Sequence, residues 1–518
     1  LRRAAALFEA QPAVVAHGRR VTYGELDRRV RSLGGGLDEI GVAPGARVGF
    51  LGANSLAHLE CWIGVPAAER VLVSLNFRLS PAELAFIARD CELDLLIVDR
   101  AQLESGRAIR REAGTGLPLL LDDQDDGAAP PDDCVPYSRL LEYAPAASRD
   151  IPEHELAAIS YTGGTTGKPK GVMLSHANLL ANARHNLVAT QHARTDRWLH
   201  VCPMFHVAGI ANLFACTWVG GLQVLLPRFD ARAVIDTVRC EEITHIVLVP
   251  TMLAMLLDEL DKEEDGGGEL GTLRHIQYAA SPIAPALQRR VLERFDCDVV
   301  QFYGMTEAAP TVTQLPAEDH RRGFGGEEPY ASRLSGIGVP VVGVEVDVRD
   351  GTGAPLAPGE IGELYLRGPN VMLGYWKRPQ ETEAAFVEGW YRSGDAARAD
   401  VDGYLYVVDR LKDMIITGGE NVYSVEVESA LIEHPAVAEA AVFGIPDARW
   451  GESVHAIVTL RAGRTTHEDE LIEHCRTLIA GYKVPRSIEL RDDPLPKSGA
   501  GKLLKSVLRE AYWGGGGS

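Results

Sequence analysis

Short apolar runs of strand length alternate with helix-length amphipathic segments up to about residue 339, and this alternation restricts the fold more than any other feature of the chain. Residues 47–51, 95–98, 157–161, 244–249 and 298–302 are rich in Val, Ile, Leu, Phe and Tyr, with little of the polar alternation that marks a strand wetted on one face. Strands of that kind are buried on both sides, which predicts largely parallel sheets covered by helices. Beyond Val339 the texture changes to shorter β-like pieces punctuated by Gly and Pro, as in 359–366 and 403–408, and a β-barrel-like part is expected there.

After Asp409-Arg410-Leu411-Lys412-Asp413 a segment of about 100 residues remains, a suitable size for a small domain. The expected organisation is α/β: a large N-terminal domain over 1–411 and a small α+β C-terminal domain over 412–513. Residues 514–518 read GGGGS, a flexible spacer of the engineered kind, and carry no functional reading. The acidic stretches 122–133 and 261–269 are expected to be solvated loops. The uncharged run 207–226 is long enough to span a membrane, but Gly220-Gly221 divides it, which favours a buried helix feeding a buried strand.

A net charge of -20 argues against a nucleic-acid face, because that affinity comes from Lys and Arg neutralising phosphates. Any anion must be held locally. The eight cysteines include no CxxC pair, which fits reduced thiols in a cytoplasmic protein and speaks against a zinc site.

One segment could hold an anion. Tyr161-Thr162-Gly163-Gly164-Thr165-Thr166-Gly167-Lys168-Pro169-Lys170-Gly171 follows an apolar strand and combines glycines, hydroxyls and two lysines. Glycines let successive N–H groups converge on an anion, hydroxyls add donors, and lysine adds charge. Alone, such a run is equally a small-residue solvent loop. It is not a Walker loop, since Thr162 stands where the first glycine belongs and Pro169 follows Lys168.

The run resembles the signature of the acyl-adenylate-forming superfamily, which includes acyl-CoA synthetases, luciferases and the adenylation domains of peptide synthetases. Further motifs of that superfamily follow in order, and the resemblance extends from about Phe8 to Arg509. It implies that Thr162, Gly163, Gly164, Thr165, Thr166, Gly167 and Lys170 hold phosphates, although Gly163 replaces the usual serine. Ala280-Ser281-Pro282 would line the nucleotide site. In Tyr303-Gly304-Met305-Thr306-Glu307, Tyr303 would pack near adenine, Thr306 would contact phosphate and Glu307 would hold Mg²⁺, a cation suited to carboxylate oxygen. Alone, Thr306 reads as a helix cap. Asp395, within Tyr391-Arg392-Ser393-Gly394-Asp395, and Arg410 would grip ribose; alone they are an Asx-turn and a surface ion pair.

The resemblance gives the small domain two tools. Lys502 would be the catalytic lysine that offsets charge at the α-phosphate, and Gly418-Gly419 would complete a channel for CoA after rotation about Lys412. Phe205 and His206 would mark the acyl pocket, His206 with a catalytic part. The implied activity is an acyl-CoA synthetase of fatty or aryl acid metabolism, with ATP, Mg²⁺ and CoA. The competing readings are an amide synthetase using an amine acceptor and a silent nucleotide-binding protein. Pro203-Met204-Phe205-His206-Val207 offers no acidic residue for an amino-acid ammonium, which disfavours an amino-acid adenylation domain. Oligomeric state is open, a homodimer included.

Overall fold

Strand Arg47–Leu51 pairs in parallel with Val71–Leu75 on one side and Leu93–Val98 on the other, the arrangement that uninterrupted apolar runs call for. In the computed structural model, which describes residues 1–113, 116–124, 129–162, 169–263, 270–281, 283–411, 413–417, 420–447, 449–497 and 503–513, these strands belong to an eight-stranded sheet. A nine-stranded sheet carries Arg197–His200, Leu222–Leu225, His245–Leu248, His275–Tyr278 and Asp298–Gly304 in parallel, with antiparallel strands toward its edges. All five expected strands are present, within three residues at each end.

The expected barrel-like part is a five-stranded antiparallel sheet built from Glu345–Arg349, Gly362–Arg367, Phe386–Val387, Trp390–Ala399 and Leu405–Arg410. The C-terminal part has its own five-stranded sheet, with helices Ser424–Ile432, Glu468–Leu478 and Lys505–Trp513. Val427, Leu431, Val442, Val454 and Leu471 form its separate core. The mixed α/β plan with a small α+β C-terminal unit therefore stands. Lys412 lies outside the described residues, as do 264–269 of the second acidic stretch.

The run 207–226 divides as expected. Helices Val207–Ile210 and Leu213–Val219 end at Gly220, whose φ of +83° is the left-handed cap conformation glycine adopts freely, and strand Leu222–Leu225 follows. Among the described residues no helix is long and apolar enough to cross a membrane.

The first acidic stretch departs from the solvated loop expected of it. Asp122 is buried and accepts from Ser55 Oγ at 2.9 Å, while Asp123 accepts the Ser138 N–H at 2.9 Å. The stretch begins at the end of strand Leu119–Leu121, so its first carboxylates meet hydroxyl and amide donors at the sheet end instead of water. Its far end is on the surface, where Arg110 pairs with Asp133 at 2.7 Å.

Candidate active site

The phosphate-loop residues Gly163, Gly164, Thr165, Thr166 and Gly167 lie outside the described residues, but the loop is framed on both sides. Strand Leu156–Thr162 returns as Lys170–Ser175, and Thr162 is paired with Lys170 across the hairpin. The entering strand is held by Asp90, which accepts from the Tyr161 hydroxyl at 2.6 Å and pairs with Arg378 at 2.6 Å. Lys170 carries its ammonium 5.2 Å from the centre of the Tyr375 ring.

Tyr375 ties this loop to the second motif. Its hydroxyl donates to Glu307 Oε1 at 3.1 Å and lies 3.4 Å from that of Tyr391. Burial first, and the Glu307 charge second, push the Tyr375 phenol above its usual range. The same causes in the same order raise Tyr391. Both phenols therefore stay protonated, and Tyr375 directs its proton to the carboxylate.

Glu307 stands on a single 3₁₀ turn, Thr306–Ala308, directly after strand Asp298–Gly304. The turn has Met305 at its cap position and no side-chain cap, so Thr306 is not the helix cap its type suggests in isolation. The turn is fixed from behind. Asn370, fully buried, donates through Nδ2 to the carbonyls of Ala308 at 2.8 Å and Thr311 at 2.9 Å. Gly304 has no room for a side chain, since a Cβ there would lie 1.8 Å from the Pro310 carbonyl oxygen.

Asp395 is buried in strand Trp390–Ala399, not in an Asx-turn, and is paired in register with Arg410 on the neighbouring strand. Its Oδ2 accepts from the Tyr303 hydroxyl at 2.5 Å. The residues expected near adenine and ribose therefore touch each other: Tyr303 and Glu307 come from the carboxyl end of strand Asp298–Gly304, and Asp395 comes from within strand Trp390–Ala399. Ala280 and Ser281 follow strand His275–Tyr278, the immediate parallel neighbour of the strand that bears Tyr303 and Gly304 and leads into Met305. Open α/β sheets bind ligands beyond the carboxyl ends of their strands, where Ala280, Ser281, Met305, Thr306 and Glu307 stand. Pro282 and the Arg410 side chain are outside the described residues.

His206 stands at the start of the short helix Val207–Ile210. Its Nδ1 accepts the Ala208 N–H at 3.2 Å and so caps the short helix Val207–Ile210, which turns the imidazole into an anchor of the local backbone. The preceding loop is pinned by Asn54, whose Nδ2 donates to the carbonyls of Cys202 at 3.0 Å and Leu226 at 3.1 Å and whose Oδ1 accepts the Met204 N–H at 2.8 Å. Phe205 is buried, with its ring edge-on to Phe77 at 5.2 Å. Sequence reasoning did not single out Asn54, Asn370 or Tyr375. Their only signal is a polar or phenolic side chain in an apolar or Gly-rich segment.

The two tools of the small unit, Lys502 and Gly418-Gly419, lie outside the described residues. The described residues on either side pair with each other, Thr417 with Glu420 and Lys497 with Leu503. Asp409, at the end of the large unit, receives the Ser424 hydroxyl at 3.0 Å, joining the two parts beside the expected hinge.

No cluster of three or more metal-binding side chains occurs among the described residues. The donor set nevertheless fits Mg²⁺ arriving with a nucleotide. That ion keeps several waters and phosphate oxygens and needs one or two carboxylates, and Glu307 is oriented for that part by Tyr375.

Comparison with known proteins identifies the family. Residues 1–376 match the model of the AMP-binding enzyme family and residues 426–502 match that of the AMP-binding enzyme C-terminal domain. A feruloyl-CoA synthase of an Amycolatopsis species is 40% identical over 96% of this chain and 96% of its own. A long-chain-fatty-acid–CoA ligase of Thermus thermophilus is 37% identical over 99% of this chain and 94% of its own. Among solved structures, the o-succinylbenzoate coenzyme A synthetase of Bacillus subtilis in complex with ATP and magnesium superposes with a TM-score of 0.83 at 30% identity, covering 98% of each chain.

Proposed function

Because the chain belongs to the AMP-binding enzyme family and is an adenylate-forming acid–thiol ligase, we propose that the cleft bounded by Tyr303, Glu307, Asp395 and His206 binds ATP beside a carboxylic acid, joins them as an acyl-AMP, and then passes the acyl group to CoA. The observation that carries this assignment is the direct Tyr303–Asp395 hydrogen bond, which sets a ring for a base and a carboxylate for sugar hydroxyls side by side.

In the first step a carboxylate oxygen of the acid attacks the α-phosphorus of ATP. The bond to the β-phosphate oxygen breaks, and pyrophosphate leaves with its electron pair. Asp395 and Arg410 hold ribose, while Tyr303, Ala280, Ser281 and Pro282 hold the base. Thr162, Gly163, Gly164, Thr165, Thr166, Gly167, Lys170 and Thr306 grip phosphate oxygens, with Gly304 and Met305 shaping the backbone between base and phosphates. Glu307 holds Mg²⁺, which when bound neutralises phosphate charge. Lys502 places its ammonium where negative charge grows, so that its help is greatest in the transition state.

In the second step the CoA sulfur attacks the acyl carbonyl carbon, and AMP departs with the electrons of the acyl–oxygen bond. Gly418 and Gly419 form the wall along which pantetheine enters. Lys502 and this hairpin serve one place in turn, so the small unit, 412–513, rotates about Lys412 against 1–411. A hinge of that kind changes only a few backbone dihedrals.

Mass spectrometry of the products formed from mixed carboxylic acids, ATP, Mg²⁺, CoA and simple amines tests the assignment. The expected products are a CoA thioester, AMP and pyrophosphate. Amides without thioester would overturn the choice of acceptor, and absence of pyrophosphate with every acid would overturn the adenylation itself.

A further inference from the structure

The sheet face beneath helices Val207–Ile210 and Leu213–Val219 is unexpectedly polar in one place. Val247, Gln277 and Val300 lie side by side on three adjacent parallel strands. Asn212, six residues past His206, reaches down onto this row and donates through Nδ2 to Gln277 Oε1 at 2.8 Å. Asn212 Oδ1 in turn accepts from His192 Nε2 at 3.1 Å. Burial lowers the His192 pKa to about 4, so the ring is neutral at physiological pH and its proton on Nε2 fixes the direction of this relay.

The relay ends at Gln277. Its side chain is 2% exposed, and its Nε2 has no hydrogen-bond partner among the described residues. Leaving a buried amide donor unmatched is costly, and such a group in a native fold calls for an occupant. A small cavity of about 10 Å³ adjoins this row, lined by Trp198, His200, Ala208, Gly209, Asn212 and Val247. Two of these, Ala208 and Gly209, sit on the helix that His206 caps.

The position along the strand matters most. Gln277 precedes Ala280, at the nucleotide edge, by three residues, which at about 3.3 Å per residue places it roughly 10 Å deeper. An acid with its carboxylate at that edge and its body along the wall following His206 brings its far end to the Gln277 amide.

We propose that Gln277, oriented by Asn212, is the specificity-determining residue of the acyl pocket and donates its Nε2 hydrogen to an oxygen at the end of the acid farthest from the carboxylate. The substrate class is an acid carrying a distal oxygen acceptor, as a para-hydroxy or para-methoxy aryl acid or an ω-hydroxy alkyl acid does. The assignment rests on the ligase reading above, because it requires the carboxylate to be activated beside Ala280. A site with a buried donor penalises an analogue that lacks the acceptor much more than a plain apolar pocket penalises a missing methylene.

The test is pyrophosphate release by the full chain with matched acids: 4-hydroxycinnamate and 4-methoxycinnamate against cinnamate, and 8-hydroxyoctanoate against octanoate. The unaltered protein is expected to favour the oxygenated member of at least one set by about 10- to 100-fold in kcat/KM. Preference within the cinnamates identifies the aryl source, and preference within the octanoates the alkyl one. In Gln277→Met, of similar length and without the donor, the ratio is expected to fall toward unity. Gln277→Asn, which keeps the amide but withdraws it, should reduce the ratio if the Met variant does not fold. Equal turnover within every set by the unaltered protein overturns the Gln277 assignment alone, as does an unchanged ratio in a folded variant. No pyrophosphate with any of these acids or a wider panel overturns the ligase reading beneath it.

Discussion

The hydroxyl of Tyr375 lies 3.1 Å from Glu307 Oε1 and donates to it, so the carboxylate assigned to the metal is held by a residue 68 positions away in sequence. A hydrogen bond to a charged group contributes about 1.5–3 kcal/mol, and here it acts by fixing where one carboxylate oxygen points. Tyr375→Phe removes the donor and keeps the ring beneath Lys170. The expected outcome is a Mg²⁺ requirement raised by roughly tenfold, with the acid KM changed much less. A Mg²⁺ titration of pyrophosphate release checks this, and an unchanged half-saturation point would remove Tyr375 from the site.

Asp395 is buried and already receives the Tyr303 hydroxyl on Oδ2. A neutral amide there can accept through only one atom, so Asp395→Asn must sacrifice the phenol or the sugar. The ATP KM is expected to rise by about tenfold or more, equivalent to roughly 1.4 kcal/mol, while the fold survives. Isothermal titration with ATP in the absence of acid isolates that loss, and binding of normal strength would refute the ribose role.

These two cases show what was legible in the sequence. The strands around Arg47–Leu51 and Asp298–Gly304 are visible because burial on both faces forces apolar runs. The segments 162–170 and 303–307 stand out because glycine and hydroxyls recur there in a fixed order, the pattern that close approach of backbone to a ligand would call for. Tyr375, Asn54 and Asn370 are not visible. Each acts through one or two hydrogen bonds to residues distant in sequence, and a side-chain type does not reveal its partner. Asp122 failed for the related reason that an acidic run suggests water, whereas its place beside a sheet end decides otherwise.

Gly304→Ala tests the packing behind the turn. The added Cβ would meet the Pro310 carbonyl oxygen at 1.8 Å, a backbone atom that cannot swing aside as a side chain does. Overpacking of this sort costs about 1–3 kcal/mol, and both the urea midpoint and adenylation are expected to fall. Gly351→Ala is the control, since a Cβ there has nothing within 4 Å. Equal midpoints for the two variants would contradict the close approach.

A stack of buried rings makes the fold sensitive to acid. His192 lies on Trp198 at 4.6 Å, Trp198 on His245 at 4.7 Å, and His245 on His275 at 5.4 Å. Burial is the first cause in each histidine and holds His192 and His275 to about 4 and His245 to about 2, below the ordinary 6.5. Folded pKa values lie below the unfolded ones, so below pH 6.5 the unfolded chain binds protons that the native stack refuses. The stability this gives is complete above 6.5 and is lost as pH falls toward 4. Each such histidine contributes up to about 1.4 kcal/mol per pH unit in that window. Urea midpoints between pH 4.5 and 7.5 should rise with pH, and His275→Gln should flatten the slope; an identical slope would exclude the stack as its source.

Lys502 and Gly419 offer the sharpest division of labour, because one is assigned to acyl-AMP formation and the other to its consumption. Lys502→Ala is expected to lower pyrophosphate release by 100-fold or more, on the order of a lost transition-state charge contact, yet to convert supplied acyl-AMP and CoA to thioester nearly as the unaltered protein does. Gly419→Leu should show the reverse, because Leu would obstruct the pantetheine channel while the adenylation residues remain intact. The pair is informative as a crossed design: a fold defect would depress both half-reactions in one variant, whereas two complementary losses require two tools serving one cleft in turn. Stopped-flow pyrophosphate release and single-turnover thioester formation measure the two halves separately. If either variant keeps the unaltered protein's urea midpoint and still loses both halves in proportion, the two residues do not act in separate steps and the rotation about Lys412 has no functional basis.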